Sequence, residues 1–545
     1  MIKKLICLLL SAVFLLCTFT ACGDDEDISL VMPIGADPIC LDPQIAETQT
    51  AKTIINNCFE GLVRLDADYK IIPGVAESWT VSPDGLVYTF KLREDTHWQL
   101  LKSYADVLDD ENYMENFRTE VTAQDFEFAL KRAVDKITDS PDADKLYCIQ
   151  NASLIHAGEA DKSTLGVRAV DSRTLTITLE RANPDFLRIL TLPLCMPCHE
   201  EFFNATRAKY GLELKYTFCN GPFYLGKWTA DHSVLLYKNE GYKGNSEVKP
   251  TAIYLNMNKE ESSIITKLKQ KDYSCGYISD AAYFDLNGNS KLNFDVTENS
   301  VTGLVFNCAD STLSNENLRK ALSMLTRVDL IEKPSHAIST ATGVIPESCR
   351  YSDSAYRQSA GAVNLPVYDE QAALVFWNTG LEETGRTAAT VKIICTEEYS
   401  QQMQRIIQDW QRVLGTTIVA KVEILDEDGI KDAVKKDNFQ IAITSITSNS
   451  ATATDTLKFF TTGNSKNIFN YSDPAYDELV GNIINVCSGA EIIQNMKSAE
   501  QSLVDKAVFI PLFTQGDYIA FSNEAVDIAP MPTFEGICFI NGGLE

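Results

Sequence analysis

Residues 57–98 read NCFEGLVRLDADYKIIPGVAESWTVSPDGLVYTFKLREDTHW, and the fold is decided in this stretch. Ser82-Pro83-Asp84-Gly85 places an Asp-Gly pair between two short strand-like runs, the signal for a hairpin. After the turn, Val87, Thr89 and Lys91 alternate with Tyr88, Phe90 and Leu92, so that one face can be apolar and the other wet. The local reading is a hairpin on a half-buried sheet.

Outward from the hairpin, the segments EGLVRLD and IPGVAESWTVSPDGLVYTFKLR resemble the signature block of the extracellular solute-binding proteins of peptide ABC importers. These are the dipeptide- and oligopeptide-binding group, which also contains nickel binders. VTAQDFEFALKR (residues 121–132) is similar to the family's next block, and RAVDSRTLTITL (168–179) to its edge hairpin. The resemblance implies an α/β, two-lobed periplasmic-binding-protein-like (type II) fold with an additional α+β domain on the first lobe. It implies the division 28–56 and 189–300 for the first lobe, 57–188 for its extra domain, 301–513 for the second lobe and 514–545 for the return.

Length and charge bound the rest. A chain of 545 residues with 45% hydrophobic content can bury two or three domain cores. Its formal charge of -27 argues against nucleic acid, whose phosphates need a basic face. Lys3 and Lys4 precede an apolar run from Leu5 to Phe19, the layout of a secretory signal over residues 1–21. The run is short for a membrane span, which takes about 20 apolar residues. It closes in Phe19-Thr20-Ala21-Cys22-Gly23, which resembles a lipobox, so Cys22 is the expected lipidation site and residues 22–27 an acidic tether. Two acyl chains anchor stably where one does not. The expected location is the extracellular face of the cell membrane, or the periplasm where an outer membrane exists. Most remaining cysteines sit singly in apolar runs, as small buried hydrophobes do.

Further along, Thr122 and Asp125 form a capping box for a helix with Phe126, Ala129, Leu130, Ala133, Val134 and Ile137 on one stripe. Residues from about 100 to 120 lack a period and read as a surface insertion. A helix through Leu318, Ala321, Leu322 and Leu325 takes Ser314 as its cap. From Val391 onward strands and helices alternate, which implies parallel neighbours. Asp426-Glu427-Asp428 reads as a solvated turn, and 508–513 as the return crossing.

Chemistry-bearing motifs are few. Cys195-Met196-Pro197-Cys198-His199 fits c-type haem attachment, half a zinc site or a redox pair, and fits plain structure as well. A secreted haem or redox lipoprotein built on these residues is therefore the rival reading. There is no G-x-S-x-G, H-E-x-x-H or G-x-x-x-x-G-K-[ST], so neither hydrolysis nor an ATPase step is expected. No enzyme activity, resident cofactor or metal site is expected. The expected partners are a peptide, an ABC permease with its ATPase subunits, and the lipid anchor, with the protein monomeric.

The resemblance also implies where a ligand would lie. Glu47 and Thr48 border the cleft after the first strand, Asn220-Gly221 turn near its mouth, and Phe306-Asn307 mark the crossing to the second lobe. For Asn220-Gly221, chain reversal is the alternative. In peptide-binding relatives an Asp in a Trp-x-x-Asp-Tyr-x-Asp-Pro block meets the ligand's amine. Here the corresponding stretch is SITSNSATATDTLKFF (445–460), which contributes Asn449 and Asp455, and the anchoring position falls on Thr452. Asp455 either takes over the amine or caps the helix before Leu457. Nickel chelate, haem or a sugar are other ligands for the same architecture.

Overall fold

The computed structural model describes residues 29–244, 248–328, 337–351, 354–448, 452–485, 489–531 and 536–545. The expected signal, Cys22, the acidic tether and Asn449 lie outside these residues. Among the described residues, no helix is long and apolar enough to cross a membrane.

The hairpin forms as its turn chemistry demands. Ala76–Val81 pairs antiparallel with Val87–Leu92, and Tyr88, Phe90 and Leu92 turn inward while Lys91 faces water. Thr174–Thr178 and Val167–Ala169 extend it to a four-stranded sheet. Tyr88 meets Phe186 edge-on at 4.8 Å. Each such side chain contributes about 1.5–3 kcal/mol by leaving water.

This sheet shares one core with a second four-stranded sheet, ordered Leu30–Ile34, Ala252–Met257, Ser233–Lys238, Phe223–Thr229. Only the first pair of that sheet runs parallel. Helix Ala123–Val134 packs on the hairpin sheet against Val167–Ala169 and Thr174–Thr178, and Thr122 and Asp125 form its capping box. Arg132, on its last turn, is nearly buried and bonds Asp42 at 2.6 Å, Gln44 at 2.7 Å and the Cys198 sulfur at 3.4 Å, with Phe203 under its guanidinium.

A seven-stranded sheet forms the second lobe together with the strands that join it to the first; its path Cys275–Ile278, Phe509–Ser522, Leu292–Phe306, Ile441–Thr447, Ala389–Cys395, Ile418–Ile424 is joined by Ser339–Thr340 at Phe509–Ser522. Its last three strands are parallel, as the alternating pattern predicts. Helix Glu397–Leu414 buries Met403, Ile406, Ile407, Trp410 and Leu414 on it. The two longest strands, Leu292–Phe306 and Phe509–Ser522, link the lobes. One end of the pair packs with Ile264, Leu268 and Tyr273, and the other joins the two cores of the second lobe. The register slips between Thr297/Ser300 and between Thr302/Gly303, which bends the ribbon midway. Beside the second slip, Thr302 Oγ bonds Ser445 Oγ at 2.7 Å and Gln515 Oε1 at 2.5 Å.

Three sequence expectations are corrected and one, for residues 100–120, gains local structure. The helix after Thr122 ends at Val134, because the Asp135 carboxylate accepts from Ile137 N at 3.0 Å and turns the chain out; Ile137 is 92% exposed. Residues 100–120 form short helical turns whose side chains are mostly at the surface. Tyr104 is buried there, with its ring 5.0 Å from Phe202 and its hydroxyl donating to Thr217 O at 2.7 Å. The helix through Leu318 is capped by Asn315, whose Oδ1 accepts from Leu318 N at 3.0 Å, and not by Ser314. Asp426 is an N-cap rather than part of a turn, accepting from Gly429 N at 2.8 Å with Glu427 and Asp428 in the first helical turn.

Candidate functional site

The lobes meet where a turn of the first lobe touches a loop and a short helix of the second. The Asp66 carboxylate accepts from Asp68 N and Lys70 N, both at 2.9 Å, and holds Tyr69 at φ 63°. From the other lobe, Arg350 places its guanidinium 5.7 Å from the Tyr69 ring and donates to Asp68 O at 3.4 Å. Burial and nearby Asp295 push the Tyr69 phenol up to about 12.

Behind this contact, strand Thr174–Thr178 leads into Asn183-Pro184-Asp185. Asn183 Oδ1 accepts from Asp185 N at 3.0 Å and sets the aspartate at the start of helix Phe186–Ile189. Arg188 on that helix donates to Tyr69 O at 3.2 Å. Across the gap, Thr452 caps helix Ala453–Lys458 by accepting from Asp455 N at 3.3 Å. Asp455 is therefore not the cap. Its carboxylate pairs instead with Lys458 at 3.2 Å. Thr454 faces Asp185, and the Asp185 carboxyl is pushed up to about 6 by burial. Asp455 raises it further while Thr454, Lys458 and Arg188 pull it down.

Two cavities flank the contact. One, of about 320 Å³, is lined from the first lobe by Asp144, Lys145, Tyr147 and Arg181 and from the second by Asp455, Lys458 and Lys466. The other, of about 250 Å³, lies between Tyr69 and Arg350 with Asp295, Glu298, Glu347 and Ser348. Both are open and mix apolar surface with charged side chains on their walls.

Among the described residues expected to line a cleft, Asp455 alone reaches this face. Asn220 is buried in the first lobe, where it donates to Glu60 O at 2.9 Å and accepts from Glu60 N at 3.1 Å. Gly221 N donates to Cys58 O at 2.9 Å, and a Cβ there would lie 2.6 Å from Cys58 C. Phe306 is buried in the second-lobe core, and Asn307 donates to Phe439 O at 3.0 Å. Thr48 caps helix Gln49–Cys58, and Glu47 before it is exposed. Tyr69, Asp185 and Arg350 were not anticipated. Their only sequence signals are turn residues, which say nothing of an opposite lobe.

Cys195-Met196-Pro197-Cys198-His199 is buried in the first lobe. His199 Nδ1 accepts from Phe202 N at 3.3 Å as the cap of helix Glu200–Ala205, while Phe117 stacks on the ring at 4.6 Å. Burial and the Arg118 charge lower the imidazole to about 4. Both thiols are buried and free, and burial raises them, Cys198 to about 12. A reactive thiol requires the opposite shift. These residues serve packing.

Two α/β lobes joined by a bent pair of crossing strands, with a charged cleft between, define a solute-binding architecture. The model of the bacterial extracellular solute-binding proteins, family 5, matches residues 70–467, and the chain belongs to that family. The dipeptide-binding protein DppE of Bacillus subtilis is 26% identical over 488 residues, covering 88% of this chain and 85% of the relative. Among solved structures, peptide-bound OppA of Listeria monocytogenes has a TM-score of 0.69 at 22% identity, covering 95% of this chain and 99% of that one. HbpA2 of Haemophilus parasuis has a TM-score of 0.74 at 18% identity, covering 95% and 99%. The chain is a binding protein and not an enzyme.

Proposed function

We propose that this protein captures peptides between its lobes and hands them to the permease of an ABC importer, as a lipoprotein anchored through Cys22 on the outer face of the membrane. A cleft lined by charged side chains from both lobes carries the reading, together with membership of a family that includes the dipeptide-binding protein DppE. An extended peptide can be held by main-chain hydrogen bonds from both walls, with side chains in loose pockets. Closure about the bent strands then traps it.

In this reading Asp455 and Asn449 meet the ligand, with Glu47 and Thr48 at the rim. Asn220, Gly221, Phe306 and Asn307 hold the walls in place. Residues 1–21 are the signal, 22–27 the tether, and 301–513 the moving lobe between the two parts of the first, with the protein acting as a monomer. Thermal unfolding of the mature protein with a pool of synthetic tripeptides tests the reading. A ligand at a hundredfold excess over its Kd adds about 2.7 kcal/mol, a shift easily read. An unchanged melting temperature across pools of two to six residues removes peptide capture.

A further inference from the structure

We propose that Asp185 is the acceptor for a positively charged group of the solute, held between the lobes opposite Thr454. The ligand's identity, a peptide with a free amino terminus, rests on the reading above. The position of the acceptor rests on geometry.

Asp185 is 4% exposed, and neither of its carboxylate oxygens has a hydrogen-bond partner among the described residues. Thr454 turns a neutral hydroxyl toward it that pulls the carboxyl down, yet neither that Oγ1 nor either carboxylate oxygen has a partner within hydrogen-bonding distance among the described residues. An ionised carboxylate taken out of water without a partner costs several kcal/mol, and native structures do not carry such a group without reason. The turn does not explain it, because Asn183 satisfies the Asp185 backbone and leaves the side chain free to point outward from its own lobe.

The charged and titratable groups that face Asp185 are Asp455, Lys458, Arg188 and the Tyr351 phenol. Lys458 is held by Asp455 at 3.2 Å, and Arg188 is engaged with the carbonyl of Tyr69 at 3.2 Å. Neither cation closes on Asp185. The carboxylate thus stands at the meeting face of the lobes, one side offered by the extra domain and the other by helix Ala453–Lys458.

A neutral donor returns little of the cost of burying an ionised carboxylate, whereas a charge-assisted bond is about twice as strong as a neutral one. An ammonium group fits, with three donors to share between two carboxylate oxygens and Thr454 Oγ1. Because the acceptor and the threonine belong to different lobes, the same cation that is recognised also joins them. Charge selection and closure become one event.

Titration calorimetry at pH 7.5 with matched pools of free and N-acetylated tripeptides tests the assignment in the full mature protein. The wild type should bind the free pool more tightly. Asp185→Asn should weaken free peptides roughly 10- to 100-fold and leave the acetylated pool unchanged. Asp455→Asn should change the ratio less than threefold. Ligand-free Asp185→Asn should melt higher than wild type at pH 7.5, since an amide is cheaper to bury than an unpaired carboxylate. Should that variant not fold, the wild type alone decides: its preference for free over acetylated peptide should shrink below pH of about 6, where Asp185 gains a proton. Equal losses for both pools, a lower melting temperature of the variant, or a pH-independent preference would overturn the assignment. A wild type that binds both pools while Asp185→Asn discriminates no differently removes Asp185 alone. A wild type that binds neither pool removes the peptide reading and this inference with it.

Discussion

Arg350 of the second lobe donates to the carbonyl of Asp68 in the first at 3.4 Å and lays its guanidinium 5.7 Å from the Tyr69 ring. In the proposed capture cycle the pair is lost when the lobes separate, so it favours the closed arrangement. A cation–π contact with one hydrogen bond at a partly wet site is worth about 1 kcal/mol. Arg350→Ala should therefore weaken ligand binding about fivefold, mainly through faster release. Stopped-flow dissociation kinetics checks this; an unchanged off-rate with a slower on-rate would contradict it.

The Arg132–Asp42 pair ties the first loop of the chain to helix Ala123–Val134, with a contact at 2.6 Å and both side chains nearly buried. Removing one partner of a buried pair leaves the other charge unpaired, at about 3–5 kcal/mol. Arg132→Ala should lose that much in urea denaturation. Asp42→Asn combined with Arg132→Met should recover part of it, because both charges are then gone.

Two buried groups bend the pH profile in opposite senses. His199 has a folded value of about 4, below its ordinary 6.5, chiefly from burial. Its stabilising contribution is complete above pH 6.5 and is lost as pH falls toward 4, on the order of 3 kcal/mol. Asp185 has a folded value of about 6, above its ordinary 3.8, so stability declines as pH rises from about 4 to about 6. His199→Asn, which keeps a capping side chain, should flatten the acid limb between pH 6.5 and 4. Asp185→Asn should steepen it. Melting temperature against pH reads both slopes.

Gly221 packs against the backbone of Cys58 and Phe59, where a Cβ would lie 2.6 and 2.7 Å from main-chain atoms. Main chain cannot step aside as a long side chain can. Gly221→Ala should cost about 1–3 kcal/mol or more by overpacking, with a lower midpoint in urea.

Much of this fold was legible because local and tertiary demands agree. The Asp84-Gly85 turn, the alternation from Val87 to Leu92 and the Thr122–Asp125 capping box each specify one geometry that the packed protein keeps. Misreadings arose where a side chain's partner lies far along the chain. Tyr104 looks like loop until Phe202 and Phe218 cover it. Ile137 fits the helical stripe, but Asp135 has already ended the helix. The site was harder still. Asn220 and Asn307 have the chemistry of ligand contacts, yet each satisfies a buried backbone group from another segment. Asp185 looks like an ordinary turn residue, and only the apposition of Thr454, over 260 positions later, shows it buried without a partner.

Peptide capture is tested most directly by native mass spectrometry of the mature protein purified gently from cells grown in peptide-rich medium. Peptide capture predicts a ladder of bound species above the protein mass that collapses to free peptides on activation, with free amino termini among those released. A single bare protein mass, or one bound species of non-peptide composition, would contradict it.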